Sequence, residues 1–167
     1  SGEYWNTANS HAHTNSLGTR DAQIPENVRI YAFGGTQHFP ARSLVPQPNA
    51  NNSSNPADPR PFLKALLDAL DVWVAKRTLP PPSVFPRIAD RTLVQPDQVS
   101  TGFPSIPGVR YPEVIHRPQA LDFGPEFISR GIISVEPPRV RGEYGALVPK
   151  TDSDGNELGT LLLPEVA

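Results

Sequence analysis

The chain has 167 residues, the size of one domain, but only 37% of them are hydrophobic and 21 are proline, so loop must make up much of it. A net charge of −2, from 15 basic and 17 acidic side chains spread along the chain, gives no footprint for nucleic acid or an anionic membrane, and no apolar run approaches the ~18–20 residues that span a bilayer. The absence of cysteine excludes disulfides and thiolate chemistry; the absence of methionine makes Ser1 read as a processed, cloned or truncated start, with any targeting segment lost and the compartment open between cytosol and export.

Regular structure is expected in the proline-poor windows. Residues 3–13 are polar with small side chains and read as a short helix with Tyr4 and Trp5 packed on one side. Residues 28–33 are apolar, β-branched and aromatic apart from Arg29, and lie between Pro25 and Gly34-Gly35, which reads as a buried strand. Residues 40–59 carry five prolines and four asparagines without strand or helix period and read as a surface loop. Two overlapping glycosylation sequons in Asn51-Asn52-Ser53-Ser54 count there as polar loop. Asp58-Pro59 then supplies an N-cap oxygen and a proline at the first helical position. The helix that follows sets Phe62, Leu63, Leu66, Leu67, Leu70, Trp73 and Val74 on one face, Lys64, Asp68, Asp71 and Lys76 on the other, and stops at Pro80-Pro81-Pro82.

A strand followed by a helix long enough to cover a sheet is the layer logic of an α/β fold. One strand makes no sheet, so its parallel neighbours are expected on residues preceding Ser1. Beyond Pro86 the chain breaks into Pro-punctuated pieces, with short strands expected at 132–135, 146–148 and 158–163. Asp152-Ser153-Asp154-Gly155 sits in the turn of a β-hairpin laid on the main body. Its likeness to a calcium loop fails, because glycine comes early and Leu163 stands where a bidentate Glu is required. The organisation is thus residues 1–95 as the body and residues 96–167 as a Pro-rich, irregular extension too poor in apolar residues to fold alone.

The strand ends in Gly34-Gly35-Thr36-Gln37-His38, presenting a histidine as a general base, with Glu3 upstream as a carboxylate partner. Against this stand a backbone-bonded loop role for His38 and a helix-start role for Glu3 facing the positive dipole end. Asp21 is the reserve acid, with a loop N–H or Arg20 as its structural alternative. No Gly-x-Ser-x-Gly occurs anywhere in the chain, so the nucleophile is expected upstream of it. His11-x-His13 lacks further ligands at metal spacing, and no metal or other cofactor is expected. His116 belongs to no constellation. Tyr4 and Trp5 are candidates for an acyl pocket, set against the usual packing role of aromatics.

Together, Glu3-Tyr4-Trp5, Val28-Arg29-Ile30-Tyr31, Gly35-Thr36-Gln37-His38, Pro86-Arg87-Ile88-Ala89-Asp90 and Leu147-Val148-Pro149 with the Asp152-to-Asn156 turn resemble the C-terminal part of a bacterial α/β-hydrolase domain family, usually described as esterase-like. The resemblance implies a C-terminal fragment of an α/β-hydrolase sheet-and-helix fold. It further implies His38 as base, Glu3 as acid, a small-molecule ester substrate, and the remainder of the hydrolase domain as partner. A non-catalytic binding or scaffold domain, in which the histidine loop is structural, is the competing reading.

Overall fold

The computed structural model of the chain describes residues 2–36 and 55–163. His38, the sequons and most of the loop expected at 40–59 lie outside the described residues.

Regular elements occupy the proline-poor windows. Helix α1, Gly2–Asn6, is followed by a 3-10 turn, Asn9–Ala12, the break falling at Ala8, whose φ of 52° is left-handed. Helix α2, Arg60–Lys76, matches the amphipathic window. Asp58 accepts the Arg60 N–H at 3.0 Å, but the N-cap itself is Pro59, one position later than expected, and Arg77 closes the helix with φ 60°. Short elements follow: β1, Leu93–Val94; α3, Gln98–Thr101; β2, Gln119–Asp122; α4, Phe127–Arg130; β3, Arg139–Glu143; and β4, Val148–Pro149.

Residues 28–33 do not form the strand buried on both faces that their composition suggested, since Val28 is 37% exposed. They run extended between two single parallel bridges, Tyr31 with Val84 and Phe33 with Leu161. Backbone bonds pass both ways: Val84 N–H to Ile30 O and Ala32 N–H to Val84 O at the first bridge, Leu161 N–H to Ala32 O and Gly34 N–H to Leu161 O at the second, all at 2.8–2.9 Å. The two parallel-bridged partners come from within this chain.

The extension also differs in detail. Residues 132–135 form no strand; Ile132 and Ile133 are exposed after α4, and the N–H groups of Ser134 and Val135 share the Phe123 carbonyl. The antiparallel ladder there is β2 with β3, bent by an irregularity at Ala120/Leu121. Alternating charges in Arg139-Val140-Arg141-Gly142-Glu143 hid β3, all of whose residues are exposed. β4 pairs with β1, not with residues 158–163. The expected turn does exist: Thr151 bridges Glu157, and the Asp152 carboxylate accepts the N–H groups of Asp154 and Asn156 at 2.9 Å each. Those amide bonds, that from Asn156 foremost, hold the Asp152 pKa below its ordinary value.

The core is small. Tyr4, Leu93, Leu147 and Val148 form its buried cluster, with Trp5, Ile88 and Ile115 against it. Ser10 fastens the first segment to this centre by accepting the Leu147 N–H at 3.1 Å. By contrast α2 buries no residue completely; Phe62 stacks on Phe33 at 5.6 Å and Arg29 lies over Trp73 at 5.0 Å, while Leu67 and Val74 remain 65% and 73% exposed. Leu147→Ala should therefore cost ~2–5 kcal/mol in denaturant unfolding, and Leu67→Ala less than about 1 kcal/mol. Equal losses would mean that the centre of packing lies elsewhere.

Inside this core the Tyr4 hydroxyl meets His13 Nε2 at 2.8 Å, with Phe85 against the imidazole at 4.8 Å. Burial, aided by the charge of Glu157, pushes the Tyr4 pKa up, and burial lowers that of His13 by more than the Asp21 carboxylate raises it. A phenol that stays protonated thus faces an imidazole that stays neutral. Unfolded His13 takes up a proton near its ordinary pKa of about 6.5, while folded His13 resists until lower pH. The unfolded state then binds more protons, so stability falls as pH drops below that value. Between about pH 7 and pH 5 the unfolding midpoint should decline more steeply for wild type than for His13→Gln. Parallel declines would show that His13 does not titrate on unfolding.

Candidate active site

The bridged segment runs through Gly34 and delivers Gly35 to the rim of a cavity of about 400 Å³. At Gly34 a side chain has no room, because a Cβ there would run into the Thr160 hydroxyl and the Leu162 side chain. Gly35 is open to space but has φ +63°, a backbone that favours glycine, and it turns the chain into Thr36. Across the gap Asn55 donates its Nδ2 to the Gly35 carbonyl at 2.6 Å, and its Oδ1 accepts the Ala57 N–H at 2.8 Å. Gly35, Thr36 and Asn55 all line the cavity.

The opposite wall is aromatic. Trp5 meets Tyr111 edge-on, with ring centroids 5.6 Å apart, and Phe103 lies 5.7 Å from Tyr111. Trp5 is held in place from the backbone, its carbonyl accepting the His116 N–H at 2.8 Å. Beneath the rings, the Thr101 and Tyr111 hydroxyls lie 3.0 Å apart, and Tyr111 also reaches the Pro96 carbonyl at 3.3 Å. Burial raises the Tyr111 pKa. Helix α3 supplies Thr101, started by Asp97, whose carboxylate accepts the Ser100 N–H at 2.8 Å, and stopped by Gly102 at φ 70°. Charge enters this concave, partly apolar space through Arg110 and Glu157.

The residues singled out by sequence are distributed unevenly around it. Trp5 lines the cavity. Tyr4 is 1% exposed and faces His13 in the core. Glu3 stands half-buried in the first turn of α1, two residues before Trp5 and therefore about 200° from it around the helix axis; it is not among the cavity's described lining residues. Asp21 takes its structural alternative, its two oxygens accepting the N–H groups of Ile88 and Ala89 at 2.9 Å each. His11 packs edge-on against Tyr144, and the His116 side chain is exposed. Among the described residues no group of three or more His, Cys, Asp or Glu is arranged to hold a metal ion, and no helix is long and apolar enough to cross a membrane.

Sequence reasoning missed Thr101, Phe103, Arg110, Tyr111 and Glu157. They lie in the part of the chain without periodicity, and only the closeness of Phe103, Arg110 and Tyr111 in an otherwise aromatic-poor stretch hinted at a shared wall.

No curated protein and no solved structure matches the chain. A family model described as alpha/beta hydrolase domain matches residues 4–167, which takes in the bridged segment, α2, the cavity walls and the Asp152 turn. The chain belongs to the alpha/beta hydrolase domain family.

Proposed function

We propose that this chain is part of a serine carboxylic-ester hydrolase, contributing the triad histidine, His38, and the triad acid, Glu3, to a nucleophile carried upstream of these residues. The observation that carries the reading is the junction at Thr36. A parallel-bridged segment ends in a glycine turn at the edge of a partly apolar cavity, and His38 is two residues beyond Thr36 in the sequence. A base set at the end of a fixed segment beside a substrate-sized cavity is the arrangement that general-base catalysis needs. Family membership adds the expected chemistry of the fold. The absence of Gly-x-Ser-x-Gly from the chain is the reason for assigning the nucleophile elsewhere.

In this scheme His38 takes the proton from the serine hydroxyl as the oxygen bonds to the ester carbonyl carbon. It returns that proton to the alcohol as the C–O bond breaks, leaving an acyl-enzyme. A water molecule then attacks the acyl carbon, again losing its proton to His38, which passes it back to serine as the carboxylic acid leaves. Glu3 holds the imidazole tautomer and stabilises the imidazolium; a neutral side chain would supply orientation without that charge. Trp5, with Tyr4 behind it in the core, shapes the space for the acyl group.

In the protein containing this chain, His38→Ala should lower kcat/KM for a short-chain aryl ester by ~10³–10⁴-fold or more, leave the melting temperature nearly unchanged, and abolish labelling by a serine-directed fluorophosphonate. Glu3→Gln should lower turnover less. Unchanged turnover and labelling in His38→Ala would remove His38 as the base. No labelling of the wild-type protein would favour a non-catalytic binding domain.

A further inference from the structure

Resting on the ester-hydrolase reading, we infer that the cavity selects substrates that carry an aromatic or similarly flat apolar group together with a carboxylate, held by the ring wall of Trp5, Phe103 and Tyr111 and by the Arg110 guanidinium. Three rings in edge-on and tilted contact, at 5.6 and 5.7 Å, leave a rigid apolar surface that gains most from a flat ligand. The cavity's volume of about 400 Å³ lies in the range that encloses a small organic molecule.

Arg110 supplies the charge selectivity. It lines the cavity, is exposed, and makes no ion pair or hydrogen bond with any described residue, unlike Arg60, Arg87, Arg130 and Arg141, each of which pairs with a carboxylate. A guanidinium presents a planar fork that matches a carboxylate in a bidentate pair, and one without an internal partner is available to an incoming anion. Glu157 is the opposing charge on the same cavity, and the Tyr4 hydroxyl feels it. The ligand's carboxylate is therefore directed to the Arg110 guanidinium.

Calorimetric titration of the protein containing this chain with phenylacetate and with neutral phenylacetamide separates the ring contribution from the charge contribution. The wild type should bind the acid more tightly than the amide. Arg110→Gln should weaken the acid about tenfold while changing the amide less than about twofold, as expected for loss of one charge-assisted pair. Phe103→Ala should weaken both probes several-fold. Equal affinity for acid and amide in the wild type, acid binding indifferent to Arg110→Gln, or no binding of either probe overturns the proposal. Arg110-dependent binding with neither ester turnover nor fluorophosphonate labelling in the wild type would sink the hydrolase reading alone; His38-dependent turnover with Arg110-independent binding would sink the substrate assignment alone.

Discussion

The site rests on how residues 30–34 are held. A single extended segment exposes backbone donors and acceptors on both edges, and left alone it would fix nothing beyond it. Here Val84 bonds Ile30 and Ala32, and Leu161 bonds Ala32 and Gly34. This brings together three pieces far apart in sequence, one from each side of α2 and one from the end of the described chain. Gly34 permits the approach, since any side chain at that position would drive Thr160 and Leu162 away. With the segment pinned, the turn at Gly35 is fixed in place, and the Asn55 amide bonded to the Gly35 carbonyl holds Asn55 beside it on the same rim.

A second anchorage positions the opposing wall. Tyr4 and His13 pair within the core, Ser10 holds the Leu147 backbone, and the His116 N–H holds the Trp5 carbonyl. Trp5 thus points from a short helix whose own backbone bonds are too few to make it rigid. Its orientation comes from the packed core at Leu93, Leu147 and Val148. The energetics are consistent with a thin core: few residues are fully buried, while the stripe of α2 leaves much of its apolar area in water.

The sequence announced features that depend on neighbours along the chain. The seven apolar positions of α2 fall on one face because helix period is a local property, and the Asp152 turn was readable because an Asx side chain bonds its own backbone a few residues on. Features set by distant partners were not readable. Residues 28–33 looked like a buried central strand from their β-branched and aromatic content, but burial depends on how many strands flank them. Charged β3 was hidden because an exposed ladder has no apolar alternation. At the site, Trp5 was identified as an aromatic near Glu3, whereas Thr101, Arg110, Tyr111 and Glu157 reach the cavity only through folding of a segment without periodicity. Tyr4 shows the ambiguity of an aromatic pair: its neighbour lines the cavity, and Tyr4 fills the core.

The account stands or falls on whether position 38 faces the ring wall across the cavity. The chain has no cysteine, so a single thiol introduced by His38→Cys can carry a small fluorophore that indole quenches on contact. The account predicts quenching that Trp5→Phe relieves and Trp73→Phe does not. An unquenched probe, or quenching indifferent to Trp5, would contradict it.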